Sequence, residues 1–213
     1  MASQEESSSS GYSDMTWIQW FCGMEGHEFF VEVEEDYIND TFNLYGLKAM
    51  FPQYQEAIEL ILSPTCPDEE EMKQQSYLEL YQEAADLYGL IHARFIISQS
   101  GMELMREKYI AGSFGLCPRV MCEKQPVLPI GISEELRTSR VKLYCPKCQD
   151  IYFPKQKLSD VDGAYFGTSF PHLFFLNFPD IVIEKSSKNY APKLYGFKLY
   201  GRKGSKYESN YNN

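Results

Sequence analysis

Apolar residues in the first half of the chain recur at the spacing of helices. The clearest stripe runs through residues 76–98, where apolar side chains return at steps of three and four and predict one long helix. Its members are Tyr77, Tyr81, Ala84, Tyr88, Ile91 and Phe95. Shorter helices are predicted at residues 16–22, with Thr16 as a possible cap, and at 36–47, 52–62 and 101–110. His92, which lies on the long helix, is interpreted as structural rather than as a ligand.

The second half changes to short extended runs. Pro126 and Pro129 favour extended chain over helix. Residues 141–144 fit a returning strand. Residues 192–200 form a short alternating stretch with Tyr195, Phe197 and Leu199 on one side. The expected fold class is therefore α+β: an N-terminal all-helical domain, a ribbon domain with short antiparallel strands, and a C-terminal tail.

Four cysteines form two close pairs in this second half. Cys117 and Cys122 are separated by four residues, Cys145 and Cys148 by two, and 22 residues lie between the pairs. This spacing is typical of a tetrahedral zinc site, and the alternatives are two disulfides or four free thiols. Four thiolates leave no open coordination position, so the expected cofactor is one structural zinc ion per chain.

The predicted ribbon also carries the apolar residues Val127, Leu128 and Ile130. A ribbon of this size has few places to bury them. We therefore expect them to face a partner, including a second copy of the same ribbon.

The charge of the chain is divided unevenly. The net charge is −10, but residues 1–110 hold 21 acids against 5 Lys and Arg, and residues 111–213 hold 9 acids against 15. The boundary, just before the cysteines, supports two modules. The acidic half argues against nucleic acid as its partner and suits basic peptides or polyamines.

Several classes of function lack their motifs. The chain has no glycine-rich phosphate loop and no nucleophile elbow, and its three histidines have neither metal-ligand nor triad spacing. No segment approaches the roughly 20 apolar residues of a membrane span, and the polar N-terminus does not resemble a secretory signal. With the cysteine usage, this favours a cytoplasmic or nuclear protein.

Two acidic stretches are candidate regulatory sites. Ser3 is followed by Gln4, Glu5 and Glu6, and an acid three residues after a serine is what an acid-directed kinase selects. The acidic run of the chain is either a solvated surface or a patch that senses cations. Its members are Asp68, Glu69, Glu70 and Glu71.

The motifs of residues 15–200 resemble the regulatory (beta) subunit family of casein kinase II. They occur in the family's order and are highly specific. They include Trp17-Ile18-Gln19-Trp20-Phe21-Cys22-Gly23, Leu87-Tyr88-Gly89-Leu90-Ile91-His92-Ala93-Arg94, Leu128-Pro129-Ile130-Gly131, Asp162-Gly163-Ala164-Tyr165-Phe166-Gly167-Thr168 and Leu194-Tyr195-Gly196-Phe197, together with both cysteine pairs.

The resemblance implies a regulatory subunit that is not an enzyme. It implies a homodimer through the zinc ribbon, with two catalytic (alpha) subunits docked in a two-plus-two heterotetramer. Leu194, Tyr195 and Phe197 are then the residues that bind the catalytic subunit. The acidic run corresponds to the family's acidic loop for polyamines and basic ligands, and Ser3 to its N-terminal autophosphorylation region.

The expected organisation has five parts. Residues 1–14 are a disordered tail, 15–112 an acidic helical domain, 113–179 a zinc-ribbon dimerisation domain, 180–200 a C-terminal docking segment and 201–213 a disordered tail. The competing hypothesis is a zinc-ribbon protein that binds nucleic acid. The region 114–155 holds seven Lys and Arg against four acids, which is weakly basic for such a ribbon, so nucleic acid is not the expected partner.

Overall fold

The computed structural model describes residues 15–68, 70–155, 160–181, 183 and 193–198. The predicted disordered tails, Ser3 and Glu69 lie outside these residues. The helices in the described ranges are α1 Trp17–Gly23, α2 Glu35–Asn39, α3 Tyr54–Ile61, α4 Gln75–Phe95, α5 Gln99–Ile110 and α6 Phe170–Asn177. The strands are β1 Leu128–Ile130, β2 Lys142–Cys145, β3 Asp150–Tyr152, β4 Lys193–Leu194 and β5 Phe197–Lys198. Short 3-10 turns occur at Leu47–Ala49, Glu71–Lys73, Val120–Cys122 and Gly163–Tyr165. Among the described helices, none has the length and apolar character needed to cross a bilayer.

The long predicted helix is confirmed as α4, which runs through the centre of the core. Its residues from Asp86 to His92 are all buried, so its C-terminal half is covered on every side. α3 packs along α4, and the turn Gly163–Tyr165 packs against it from the second half of the chain. Gly89 permits this approach, because a Cβ at that position would overlap the ring of Tyr165.

The three-stranded sheet of the ribbon is antiparallel in the order β1-β2-β3. Leu128 pairs with Tyr144, and Tyr144 pairs with Ile151 on its other side. With the six helices, this sheet confirms the α+β fold class.

The expectation that Val127, Leu128 and Ile130 face a partner is wrong. They are 1%, 0% and 7% exposed within the single chain. α6 contacts β1 and adds the buried rings of Phe170 and Phe174 to the same core. The sequence argument treated the ribbon alone, whereas a helix that follows it in the chain covers it.

One continuous cluster of buried apolar residues extends through both halves of the chain. It includes Trp17 and Phe21 from α1, Tyr88 from α4, and Phe166 and Phe174 from the C-terminal part. The rings of Phe30 and Phe166 lie 5.5 Å apart between their centroids, which places the two halves in direct aromatic contact.

The sequence predicts the start of α1 correctly but places the end of α2 too late. Thr16 caps α1 as expected: its hydroxyl accepts the N–H of Gln19, and the Gln19 side chain accepts the N–H of Thr16. The helix predicted at 36–47 instead ends at Asn39. The Asp40 carboxylate accepts the N–H of Phe42 at 2.9 Å and starts a series of turns, so local side-chain bonds replace the helical ladder.

Candidate metal centre and neighbouring sites

The first cysteine pair lies on a tight backbone reversal. The N–H of Cys117 donates to the carbonyl of Gln125 at 2.8 Å, and the N–H of Gln125 donates to the carbonyl of Cys122 at 3.0 Å. Glu123 and Lys124 reverse the chain with left-handed φ values of 54° and 59°. The backbone bonds fold this segment so that both thiols of the pair face the same point.

The second pair is built in a similar way at the end of β2. Cys145 is the last residue of the strand, and its carbonyl accepts the N–H of Gln149 at 2.8 Å. Gln149 has a left-handed φ of 60° and directs the chain into β3. Cys148 therefore lies on the turn, where its sulfur is 3.2 Å from the hydroxyl of Tyr152.

The two pairs meet as the sequence spacing predicts. All four Sγ atoms lie within 4.8 Å of one another, and those of Cys117 and Cys148 are 3.9 Å apart. A tetrahedron with Zn–S bonds of about 2.3 Å has edges of about 3.8 Å, so the donor set fits zinc. The ion pair between Lys147 Nζ and Glu123 Oε2, at 3.1 Å, ties the two turns together. Cys117, Cys122, Cys145 and Cys148 could therefore hold a metal ion.

The surroundings of Cys122 and Cys145 disfavour a negatively charged sulfur, whereas those of Cys148 favour one. Burial raises the pKa of Cys122 to about 11 and raises the pKa of Cys145 further. Burial also acts to raise the pKa of Cys148, but hydrogen bonds from Tyr152 and from the Asp150 N–H outweigh it and lower that pKa to about 7. Four thiolates at such a site need a cation to neutralise them. Because all four positions of a tetrahedral ion are filled, the centre is suited to a structural role.

The predicted docking residues lie on a hairpin rather than on one extended strand. β4 and β5 pair through Leu194 and Phe197, and the two-residue turn is Tyr195-Gly196, with φ values of 49° and 86°. Positive φ at both central residues is the requirement of a type I′ turn, which Gly196 meets without strain. The side chains of Leu194, Tyr195 and Phe197 are 57%, 93% and 79% exposed. These rings do not belong to the core of the described chain, and their role stays a prediction.

The described residues of the acidic run, Asp68, Glu70 and Glu71, are bonded to one another through their side chains and backbone. The Asp68 carboxylate accepts the N–H groups of Glu70 and Glu71, at 2.9 and 2.7 Å, and the Glu71 carboxylate accepts the N–H of Asp68 at 3.2 Å. These bonds start the turn Glu71–Lys73 just before α4. Asp68 and Glu71 thus stabilise this turn, in addition to contributing negative charge.

Sequence reasoning missed a polar cluster that joins the two halves. Asp86 on α4 accepts a hydrogen bond from the Tyr165 hydroxyl at 2.6 Å. It also forms an ion pair with Arg137 at 2.7 Å. The backbone N–H of Arg137 donates to Asp162, and Arg137 itself has a left-handed φ of 60°. Burial, followed by the bond to Asp86, raises the pKa of Tyr165. An acid inside the apolar part of α4 was the available signal for this cluster.

Comparison with known proteins connects this site to a family. Residues 16–198 match the family model described as casein kinase II regulatory subunit. The chain is 48% identical over 200 residues to casein kinase II subunit beta of Schizosaccharomyces pombe, covering 93% of this chain and 84% of that protein. It is 47% identical over 190 residues to casein kinase II subunit beta' of Drosophila melanogaster, covering 88% and 85%. The paired cysteines and the tail hairpin lie inside the range matched by the family model, and the chain belongs to the casein kinase II regulatory subunit family.

Proposed function

We propose that this chain is the non-catalytic regulatory subunit of a casein kinase II holoenzyme. Two copies dimerise through their zinc ribbons, and each docks one catalytic subunit, which it stabilises and whose choice of substrates it modulates. Each copy holds one structural zinc ion on Cys117, Cys122, Cys145 and Cys148. The assembly acts in the cytoplasm and nucleus.

The exposed hairpin is the observation that carries this proposal. Tyr195 and Phe197 could complete the core of their own chain or anchor a partner. Their exposures of 93% and 79% favour the partner. Aromatic side chains that become buried in an interface are frequent hot spots, each costing roughly 2 kcal/mol or more on truncation. The two-residue turn holds them close together, which lowers the entropy lost on docking.

Dimerisation through the ribbon has support from a different set of residues than the sequence suggested. Val120 lies between the first two cysteines and is 87% exposed. Ile151 and Phe153, just beyond the second pair, are 49% and 81% exposed. These apolar groups are available for a two-fold contact in which the same surface is used by both copies. The metal centre fixes the turns that carry them, so loss of zinc would disturb the dimer.

Two further roles belong to the same proposal. Asp68, Glu69, Glu70 and Glu71 attract polyamines or basic substrates to the holoenzyme. Ser3 is the site of phosphorylation in the N-terminal tail.

The decisive experiment separates docking from folding. Tyr195→Ala combined with Phe197→Ala should weaken binding to the purified catalytic subunit at least a hundredfold, as measured by calorimetry. Zinc content, dimer mass and melting temperature should stay near those of the wild type. A matched control is Phe42→Ala with Tyr45→Ala, which removes two equally exposed rings, at 82% and 83%, from the helical half and should leave this affinity unchanged. Full affinity in the hairpin variant would refute the docking role.

A further inference from the structure

A pair of exposed aromatic rings on the helical half has no role in the proposed assembly. Phe42 and Tyr45 are 82% and 83% exposed, and Met50 in the same segment is 54% exposed. They lie on residues 40–50, between α2 and α3, which we call the aromatic loop. The N–H of Tyr45 donates to the carbonyl of Phe42 at 3.3 Å, so both rings project from one turn. Large apolar groups clustered on a surface mark interaction sites more often than isolated ones do.

The aromatic loop is held in place on the helical core. Arg94 of α4 donates from Nη1 to the carbonyls of Asn43 and Tyr45, at 2.8 and 2.9 Å. Leu44 and Leu47 are 7% and 2% exposed and anchor the loop in the core. The rings therefore point outward because their neighbours occupy the inward positions. A surface fixed in this way loses little entropy when it binds.

The charge around the loop indicates the chemistry of its partner. Residues 34–59 contain six acids and one lysine, and all seven are exposed. The acids are Glu34, Glu35, Asp36, Asp40, Glu56 and Glu59. The face of an aromatic ring attracts cations, and the flat guanidinium of arginine stacks on it better than the ammonium of lysine does. Arg94, whose guanidinium is bonded to the loop carbonyls, adds a second cation, so the segment together with this anchor still carries more acids than cations. Exposed rings on an acidic segment are complementary to arginine.

We propose that the aromatic loop docks an arginine-rich segment of a partner protein. Guanidinium groups of that segment stack on Phe42 and Tyr45, and the surrounding carboxylates neutralise its remaining charges. This surface is separate in sequence from the acidic run at 68–71 and from the hairpin at 193–198. It gives the regulatory chain a recognition site that depends on ring stacking as well as on charge.

The test compares two peptides of equal charge on the full-length, zinc-loaded chain. Binding of a labelled oligo-arginine and of its oligo-lysine counterpart is measured by fluorescence anisotropy at moderate salt. Phe42→Ala with Tyr45→Ala should weaken oligo-arginine binding about tenfold, since two stacking contacts are lost, and should change oligo-lysine binding less than about twofold. Tyr195→Ala with Phe197→Ala is the matched control and should retain oligo-arginine binding.

Three results would overturn the proposal. Equal weakening of both peptides would show that charge alone binds them. Unchanged oligo-arginine binding in the loop variant would show that the rings take no part. A lower mass of the loop variant than of the wild type in sedimentation would assign the loop to a contact between copies of this chain instead.

Discussion

The imidazole of His92 lies in the core at the junction of the two halves, and it should make stability depend on pH. Its Nε2 accepts the N–H of Val31 at 3.2 Å, so its Nδ1 carries the proton and donates to the carbonyl of Tyr165 at 2.7 Å. The ring is fully buried between aromatic side chains, including Phe30 and Phe166. Both nitrogens are satisfied only while the ring is neutral, because a second proton would face the Val31 N–H.

The size of the effect follows from the change in pKa on folding. Burial lowers the pKa of His92 from 6.5 to about 4, the bond to Tyr165 acts in the opposite sense, and Lys108 lowers it further. Below about pH 6.5 the unfolded chain therefore binds a proton that the folded chain rejects. The contribution of His92 to stability is complete above that pH and is lost as the pH falls towards about 4. The full loss is about 3 kcal/mol, of which about 2 kcal/mol occurs between pH 7.5 and pH 5.

The assay compares the wild type with His92→Gln by urea unfolding at these two pH values. Glutamine can retain an acceptor for Val31 but cannot be protonated, so the variant should be less stable at pH 7.5 and should lose about 2 kcal/mol less on acidification. Contributions from carboxylates and from the metal centre are common to both proteins and cancel in the difference. The same loss of stability in both proteins would refute the assignment of a buried, neutral His92.

Three more substitutions test other parts of the structure. Cys145→Ser should release the metal, unfold the ribbon and abolish the dimer, since structural zinc binding supplies on the order of 10 kcal/mol coupled to folding; a variant without metal that keeps a dimer mass in light scattering would contradict this. Asp68→Ala should lower the free energy of urea unfolding by about 1 kcal/mol because it removes two hydrogen bonds from backbone N–H groups, whereas Glu70→Ala should lower it hardly at all. Equal losses of stability would exclude the role of Asp68 in starting this turn. Gly89→Ala should destabilise the chain by about 1–3 kcal/mol because the new methyl group overlaps the ring of Tyr165. Gly23→Ala, whose methyl group meets open space, should not lower the melting temperature, and tolerance of both changes would disprove the close packing at Gly89.

Local signals in the sequence predicted the parts of the fold that depend on near neighbours. The stripe on α4, the Thr16 cap and the two cysteine turns each depend on residues a few positions apart. The sulfur cluster followed because two short turns joined by a returning strand can bring four thiols together. The type of each of these elements was accordingly predictable.

Contacts between distant segments were not predictable in the same way. Nothing near Leu128 in the sequence indicates that α6, some forty residues later, covers it. Asp86 and Arg137 are likewise far apart: an acid among apolar helix positions indicates a buried partner, but nothing in the sequence identifies that partner as Arg137. The end of α2 itself follows from the local bond of Asp40, but the loop after it is held by Arg94, which bonds carbonyls fifty residues before it where spacing favoured a helix.

The junction at His92 and Tyr165 also has a consequence for synthesis of the protein. Translation produces α1 to α5 well before Tyr165 and Phe166, so the emerging helical half lacks the rings that cover one side of α4. Contacts across more than seventy residues form late, and the uncovered aromatic surface is prone to aggregation until they do. Chains that end before residue 160 should therefore be poorly soluble even though every helix of the first half is present.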